Sequence, residues 1–247
     1  MTAHYDDPAF SYTQYWQGRE YEYRSEVVAL EKLLDGTRFG RAADIGGGFG
    51  RLTPLLVAHA KQTFLVEPSQ KMRKMTRGKY KVMAGSAGRT RLPDDYLDCA
   101  MLIRVLHHLP NLEPVFAELA RIVKPGGVVI LEFANSLNVK SRIRSWVVGQ
   151  PILPTSVDLR SQASIRKKYI HFVNHYPQTV LKGLAEKGFT VDRILSVSNF
   201  RMPMLKKVVP LNWLLFLEKM TQSWLGKLYF GPSLFVRARR FDKSTNP

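Results

Sequence analysis

A run of glycines is the first place in this chain where the backbone itself could bind a ligand. Asp44 is followed by Gly46, Gly47, Gly48 and Gly50, where an apolar, strand-like run passes into a helical pattern. Glycines let the main chain approach a ligand without a Cβ clash, and the free N–H groups of a helix N-terminus attract anionic and polar groups. The pattern predicts a nucleotide-type ligand, although alone it is a weak signal.

The spacing of these glycines distinguishes two kinds of nucleotide site. A dinucleotide fingerprint of the Gly-x-Gly-x-x-Gly form would need glycine at position 51, which is Arg51. An acidic residue followed by three alternating glycines resembles instead the first motif of class I S-adenosylmethionine methyltransferases. Such a site needs an acid at the end of the next strand to hold a ribose diol, and Glu67 follows the apolar run Phe64–Val66. The alternative, a solvated loop glutamate, is disfavoured by that placement.

Further segments extend the resemblance along the chain. Similarity to the ubiquinone/menaquinone methyltransferase-like family, methyltransferase type 11, covers roughly residues 40–135 and is carried by Gly85–Ala87, Leu92–Asp98, Arg104–Leu109 and Arg121–Gly127. It implies an α/β fold with a Rossmann-like, doubly wound, mostly parallel seven-stranded sheet. It also implies S-adenosylmethionine as the cofactor and a small or lipid-like methyl acceptor. In-line methyl transfer chiefly needs alignment and exclusion of water, so no metal site is expected.

The same resemblance implies a set of cofactor contacts. Asp44 and the glycine loop would face the methionine part, Glu67 the ribose, and the backbone at Ile103 and Arg104 the sulfonium. The family commonly has Asp at the position of Ser86, bonded to the adenine amino group, so weaker adenine contacts are expected here. The full expected set is Asp44, Gly46, Gly47, Gly48, Gly50, Glu67, Pro68, Met72, Ser86, Ala87, Ile103, Arg104, and, from a leader segment that lids the cofactor in some bacterial members, Tyr15 and Arg19.

Several side chains are candidates for the transfer itself. His107 and His108 follow the fourth strand at the carboxyl edge, where open α/β sheets bind ligands, and either could accept a proton from the acceptor. The alternative is a positional role, as in the resembling family. A second group could line the acceptor pocket instead: His171, His175, Tyr169 and Tyr176. Three aromatics near the leader either stabilise the sulfonium or pack a helix: Tyr15, Trp16 and Tyr21.

The elements that must position these residues alternate in the first half of the chain. Strands are predicted at Arg41–Ile45, Gln62–Val66, Tyr80–Ala84, Asp98–Ile103 and Gly127–Phe133, and helices at Glu22–Leu34, Arg51–Ala60, Ser69–Arg77 and Leu112–Val123. Alternation predicts right-handed βαβ units and a parallel sheet. Lys124–Gly127 is predicted to be a turn. Later elements are predicted at Gln178–Lys187, Val191–Val197 and Ser233–Ala238.

We expect one methyltransferase domain over residues 1–247, with helical insertions after the fifth strand and before the last. Residues 1–36 would form an N-terminal lid and helix, and residues 37–135 the cofactor-binding half. Residues 136–177 and 202–231 would be insertions on the acceptor side. The single cysteine, Cys99, excludes an internal disulfide framework.

Charge divides the chain unevenly. Of the formal net charge of +17, residues 1–134 carry +3 and residues 135–247 carry +14. Basic surface attracts an anionic membrane, nucleic acid or a phosphorylated molecule, so RNA or protein methylation stays an alternative to the lipid-like acceptor. A further alternative is a non-catalytic protein that binds S-adenosylmethionine and regulates a partner. The oligomeric state is left open.

The polar N-terminal residues and the apolar tracts both bear on where the protein is located and whether it contacts a membrane. The first ten residues are polar and acidic, unlike a secretory signal, and Val208–Leu217 is too short to span a bilayer. We therefore expect a cytoplasmic protein, with a peripheral position at the inner face of the membrane as an option. Leu211–Leu225 is either a helix that packs on the sheet or an interfacial segment with tryptophans, leucines and lysines.

Overall fold

The computed structural model describes residues 4–6, 16–166 and 171–241, which form an α/β fold around a seven-stranded sheet. Its strands are β1 (Phe39–Ile45), β2 (Ala60–Val66), β3 (Lys81–Met83), β4 (Leu97–Leu102), β5 (Val123–Ala134), β8 (Phe189–Val197) and β9 (Ser233–Arg240). A separate antiparallel pair is formed by β6 (Val157–Asp158) and β7 (Val173–Asn174). The helices are α1 (Glu20–Leu34), α2 (Thr53–Val57), α3 (Gln70–Met75), α4 (Glu113–Ile122), α5 (Val139–Val148), α6 (Gln162–Arg166), α7 (Pro177–Glu186), α8 (Pro203–Val208) and α9 (Leu211–Lys227).

The strand order in the large sheet is β3-β2-β1-β4-β5-β9-β8. Strands β1 to β5 pair in parallel, whereas β9 is antiparallel to both of its neighbours, β5 and β8. This arrangement confirms the predicted Rossmann-like, mostly parallel, seven-stranded sheet. Both expected insertions are also present: α5, β6, α6 and β7 follow β5, and α8 and α9 precede β9.

Two hydrophobic clusters lie on opposite faces of the sheet. Side chains of β4 alternate between the two clusters: Cys99 and Met101 belong to one, and Ala100 and Leu102 belong to the other. A parallel strand covered on both faces lacks the polar alternation of a half-exposed strand. Helix α1 covers the first face and helices α4 and α7 the second.

The segment Lys124–Gly127 departs from its predicted turn. It lies inside β5 as a bulge: between two points of pairing, β4 advances from Leu97 to Cys99 while β5 advances from Val123 to Val128. The positive φ of Gly126, +77°, accommodates the extra residues. The prediction of a turn was therefore wrong, because the proline and glycines bend the strand without ending it.

Candidate functional site

A cavity of about 220 Å³ opens at the carboxyl ends of β1, β2 and β4. The chain order reverses between β1 and β4, and such a reversal is where open α/β sheets bind ligands. Eleven of the fourteen expected cofactor contacts line this cavity: Asp44, Gly46, Gly47, Gly48, Glu67, Pro68, Met72, Ser86, Ala87, Ile103 and Arg104. Most of the residues that line the cavity were therefore predicted from the sequence.

Three expected contacts do not line the cavity in the described structure. Gly50 is buried just behind the glycine loop, where its N–H donates to the Gly47 carbonyl (3.0 Å). Arg19 is exposed at the start of α1 and is not part of the cavity wall. Tyr15 lies outside the described residues. In this structure Gly50 supports the loop, and a contact between Gly50 and the cofactor stays a prediction.

The glycine loop leaves no room for side chains at two of its positions. A Cβ on Gly46, whose φ is +75°, would stand 2.5 Å from Val105 Cγ2, and a Cβ on Gly47 would stand 2.4 Å from Asp44 Oδ2. Both distances are far below van der Waals contact, so the loop packs its backbone directly against Asp44 and the segment after β4. The main chain of the loop is thereby held at the cavity wall.

Asp44, near the end of β1, is buried with one carboxylate oxygen unsatisfied. Thr53 Oγ1 donates to Asp44 Oδ2 (2.7 Å), while Oδ1 has no hydrogen-bond partner within the described part of the chain. Burial raises the pKa of this carboxyl to about 6. Burying a carboxylate oxygen without a hydrogen-bond donor is energetically unfavourable. Asp44 Oδ1 therefore favours a ligand that brings a cation or an N–H donor.

Glu67, directly after β2, is fixed by main-chain groups. Gly48 N–H donates to its Oε2 (2.9 Å) and Ser69 N–H to its Oε1 (2.8 Å). Burial raises its pKa, although both N–H groups favour the ionised form. A carboxylate has about four lone-pair sites, so each oxygen can still accept a hydroxyl hydrogen. This geometry suits a vicinal diol.

A buried glutamate joins α1 to two arginines at the cavity. Glu26 Oε2 accepts from Arg51 Nη2 (2.7 Å), and its Oε1 accepts from Arg104 Nε and Nη2 (both 2.6 Å). Arg51 also lies over the ring of Trp16, with 3.8 Å from its guanidinium carbon to the ring centroid. Its Nε and Nη1 are buried and find no acceptor within residues 4–6, 16–166 and 171–241. Sequence reasoning used Arg51 only to reject a dinucleotide site and missed these donors.

The N-terminal 3-10 turn His4–Asp6 spans the cavity mouth. Asp6 Oδ1 accepts from Ser69 Oγ (2.6 Å) and from Lys71 N–H (3.0 Å), at the beginning of α3. Tyr5 lines the cavity and contacts His108 on the β4 side, with 2.6 Å from its hydroxyl to Nε2. Adjacent residues of one short segment thus contact the α3 side and the β4 side of the cavity. Neither contact was predicted from the sequence, because both partners are distant along the chain.

The two candidate catalytic histidines occupy different environments. His108 lines the cavity, and its Nδ1 lies 2.9 Å from the carbonyl oxygen of His171. A carbonyl only accepts, so Nδ1 carries a hydrogen and Nε2 of the neutral ring accepts from Tyr5. His107 is buried, packs against His108 and Phe172, and lies outside the set of residues that line the cavity. Burial holds the pKa of His107 well below its usual range.

The described members of the second group of candidate pocket residues, His171, His175 and Tyr176, do not line this cavity. His175 is buried, donates from Nε2 to the Leu106 carbonyl (2.9 Å) and accepts from Ser156 at Nδ1 (2.9 Å). His171 contacts Asp158, whose pKa is held low by Arg160. Tyr169 lies outside the described residues. The main-chain carbonyl of His171 supports the position of His108, because it accepts from Nδ1 of that ring.

The two described aromatic candidates for contact with the sulfonium, Trp16 and Tyr21, lie in different environments. Tyr21 is buried away from the cavity, donating from its hydroxyl to Glu218 Oε2 (2.6 Å), so it packs α1. Burial beside Glu218 raises the pKa of Tyr21. Trp16 holds the Arg51 guanidinium through its ring face. The packing alternative is therefore confirmed for Tyr21.

Comparison with known proteins agrees with this geometry. Residues 43–131 match a family model, Methyltransf_11, described as a methyltransferase domain. The ubiquinone/menaquinone biosynthesis C-methyltransferase UbiE of Yersinia pestis is 28% identical over 171 residues, which cover 62% of this chain and 68% of that protein. An uncharacterized methyltransferase of Bacillus cytotoxicus is 24% identical over 144 residues, covering 55% of this chain and 66% of that protein. The alignments thus span about two thirds of the length of these relatives.

Solved structures share the fold over nearly the whole chain. An S-adenosylmethionine-dependent methyltransferase from Mesorhizobium loti superposes with a TM-score of 0.60 at 19% identity, covering 87% of this chain and 98% of that one. Another from Archaeoglobus fulgidus gives 0.57 at 20% identity, covering 93% and 100%. The fold is that of class I methyltransferases. Residues 43–131 match the methyltransferase type 11 domain, and the sequence and fold comparisons together support an S-adenosylmethionine-dependent methyltransferase.

Proposed function

We propose that this protein transfers the methyl group of S-adenosylmethionine to a small or lipid-like acceptor by in-line displacement. The observation that carries the proposal is the unsatisfied, buried oxygen of Asp44 in a cavity that also holds the Glu67 carboxylate. A ligand with an ammonium group at one end and a ribose diol nearby satisfies both acids. When bound, S-adenosylmethionine supplies a methyl group already activated on a sulfonium.

Each part of the cofactor has a matching group in the cavity. We assign the ammonium to Asp44 Oδ1, the ribose hydroxyls to Glu67, and the carboxylate to Arg51 Nε and Nη1. A planar guanidinium suits a carboxylate because its donors form a fork. The remaining assignments follow the sequence prediction, with Pro68, Met72, Ser86 and Ala87 around the adenosine and Ile103 and Arg104 beside the sulfonium. Contacts from Tyr15 and Arg19 stay predictions.

The acceptor side of the same cavity is largely apolar. Val105 and Leu109 line it beside His108 and Tyr5, and apolar walls with a few polar groups are typical of small-molecule sites. The Yersinia pestis relative is named as acting in ubiquinone and menaquinone biosynthesis. Both observations favour a lipid-like acceptor over RNA or a protein side chain, the alternatives that the basic second half suggests.

We assign the proton that leaves the acceptor nucleophile to His108. Its Nε2 is the unprotonated nitrogen of the neutral ring and is reached through the Tyr5 hydroxyl at the cavity. The carbonyl of His171 would stabilise the imidazolium that forms. His107 is a poorer base because its burial disfavours the charged form. His107 is therefore proposed to position its neighbour.

Further predictions complete the proposal. Strands β8 and β9 join the same sheet as β1 to β5, which favours one domain with residues 136–177 and 202–231 on the acceptor side. A cytoplasmic location stays a prediction from the sequence.

The acceptor class is tested with methyl-labelled S-adenosylmethionine, purified protein and extracts of bacterial cells. The label is expected in the organic-extractable fraction, and label in RNA or protein instead would overturn the lipid-like acceptor. Cofactor binding is measured separately by calorimetry. Glu67→Ala is expected to weaken it at least about tenfold, because two hydroxyl hydrogen bonds to a charged group are lost. Glu31→Ala, an exposed glutamate on α1, is the control and should bind normally.

The base assignment has its own test. His108→Gln is expected to lower kcat by about 10²- to 10⁴-fold with little change in cofactor affinity. The matched control His59→Gln changes a histidine bonded to Thr37 and Arg38, outside the cavity wall. An unchanged kcat in the His108 variant would remove the base assignment and leave the cofactor assignments intact.

A further inference from the structure

Helix α9 is amphipathic in an unusual sense, because its apolar side faces outward. Six large apolar residues recur at helical spacing along the outer side, and we call them the apolar stripe: Trp213, Phe216, Leu217, Met220, Trp224 and Leu228, the last at the helix C-cap. Trp213 and Trp224 are 64% and 63% exposed, and Met220 is 65% exposed. An exposed row of this size marks an interaction surface in most proteins.

The inner side of α9 accounts for its place in the fold. Glu218 accepts from the Tyr21 hydroxyl (2.6 Å), and Gln222 donates to the Ser25 carbonyl (3.0 Å), both on α1. Glu218 also accepts from the Ser198 N–H (2.7 Å). The helix is therefore attached through a buried polar network and two buried leucines, Leu214 and Leu225. The apolar stripe is not needed for that attachment.

Exposed lysines accompany the apolar stripe, and one of them, Lys227, shares a groove with Asp35 and Asp192. Lys207, Lys219 and Lys227 are exposed on α8 and α9, and within the described residues none of them forms an ion pair. The acids described in residues 135–241 are engaged elsewhere: Asp158 with Arg160, Glu186 with Lys182, Asp192 with Arg237 and Glu218 with Tyr21. The local surface is therefore apolar and positive, which complements an anionic bilayer.

Helix α5 extends this surface from the first insertion. Its N-terminal end meets the C-terminal end of α9, where Val139 N–H donates to the Phe230 carbonyl (2.9 Å) and Arg142 donates to the Leu228 carbonyl (2.7 Å). No residue of α5 is buried, and Trp146 is 84% exposed. Both insertions thus present tryptophan beside basic residues.

The length of α9 limits how it could meet a membrane. Its 17 residues span about 25 Å, less than a bilayer's hydrocarbon core, and charged groups interrupt it. Within the described ranges no helix is long and apolar enough to cross a membrane. A helix with tryptophan and lysine flanks can instead lie in the plane of the headgroups.

We propose that the apolar stripe and its lysines dock this enzyme on an anionic phospholipid bilayer. The proposal rests on the lipid-like acceptor proposed above, because a membrane holds that class of substrate. The apolar side chains enter the headgroup boundary, and Lys207, Lys219 and Lys227 bind lipid phosphates. The acceptor then reaches the cavity from the membrane side of the insertions.

Vesicle co-sedimentation tests this docking without any turnover. The full chain is mixed with phosphatidylcholine vesicles containing either about 30% phosphatidylglycerol or none, and binding to the anionic vesicles is expected to be at least about tenfold tighter. Trp213→Ala with Trp224→Ala is expected to weaken binding at least tenfold. Lys219→Gln with Lys227→Gln is expected to weaken it by about 30-fold, because each lysine near an anionic surface contributes about fivefold.

Controls separate membrane docking from folding and from catalysis. Phe241→Ala removes another exposed apolar ring and should bind vesicles normally. Cofactor affinity should be unchanged in all of these variants, since none lines the cavity. Vesicle binding that survives the tryptophan changes overturns the proposal, and so does absent vesicle binding with RNA binding of steep salt dependence. Failure of methyl transfer to lipid, with vesicle binding intact, refutes the proposed acceptor and not the docking surface.

Discussion

Replacing Asp44 by asparagine keeps the shape of a buried side chain and removes its charge. Burial raises the pKa of this carboxyl from 3.8 to about 6 in the folded protein. The folded state therefore holds a proton that the unfolded state has lost between about pH 4 and pH 6, and the stability of the cofactor-free protein falls as pH rises through that window. The shift corresponds to about 3 kcal/mol at neutral pH. Asp44→Asn is expected to unfold at higher denaturant concentration than the parent protein near pH 7.

The same substitution should act in the opposite direction on the cofactor. A charge-assisted hydrogen bond contributes about 1.5–3 kcal/mol, so S-adenosylmethionine should bind about 10- to 150-fold more weakly to Asp44→Asn at neutral pH. In the parent protein, protonation of Asp44 competes with the cofactor's ammonium. Affinity should therefore fall by nearly tenfold between about pH 7 and about pH 5, and this dependence should be lost in the variant.

Two measurements decide the outcome. Urea unfolding of the cofactor-free proteins gives the free energy of unfolding, and calorimetric titration from about pH 5 to about pH 8 gives the affinity. Glu31→Gln, an exposed glutamate on α1, serves as the control and should change neither quantity. A variant less stable than the parent near pH 7, or a parent affinity that is flat with pH, would refute the role given to the unsatisfied oxygen.

Two further predictions concern the packing of helices α1 and α9. Glu26→Gln removes the buried carboxylate that two partly buried arginines share and should lower the free energy of unfolding by about 3–5 kcal/mol in urea titrations. Glu20→Gln, at an exposed ion pair of the same helix, should change it by less than about 1 kcal/mol. Gly226→Ala places a Cβ 2.2 Å from the Ile194 carbonyl oxygen and should cost about 1–3 kcal/mol by pushing α9 off β8, with Ser223→Ala as the neutral control. Equal stability of either pair of variants would contradict the packing described.

Much of the cofactor half could be predicted because local sequence determines it. Apolar runs marked every strand of the large sheet, and the order Asp44, glycine loop and Glu67 placed two acids at one edge of it. Arg51 and Tyr5 escaped prediction, since their roles depend on Glu26 and His108, which are distant in sequence. No local pattern records a contact of that kind.

Helix α9 shows a different limit of prediction from sequence. Periodicity indicates that a helix has an apolar side but not which way that side faces, and the usual expectation turns it toward the core. Here Glu218 and Gln222 face inward because Tyr21 and Ser25 offer hydrogen bonds there. Of the two hypotheses for Leu211–Leu225, packing on the sheet is confirmed, since the inner side of α9 contacts β8 and α1. An interfacial role of the outer side stays a prediction. The bulge in β5 is a similar case, since pairing with β4 overrode a local turn signal.

The position of β9 has a consequence for biosynthesis. This strand inserts between β5 and β8, so β5 keeps an open edge and β8 has no place in the sheet until residue 240 has left the ribosome. About a hundred residues separate β5 from β9, and at about 5–20 residues per second their synthesis takes about 5–20 seconds. During that time the nascent chain exposes an apolar edge together with the tryptophans of α9. A nascent chain in that state is a natural client for ribosome-associated chaperones, and the sheet closes only after translation has passed its last strand.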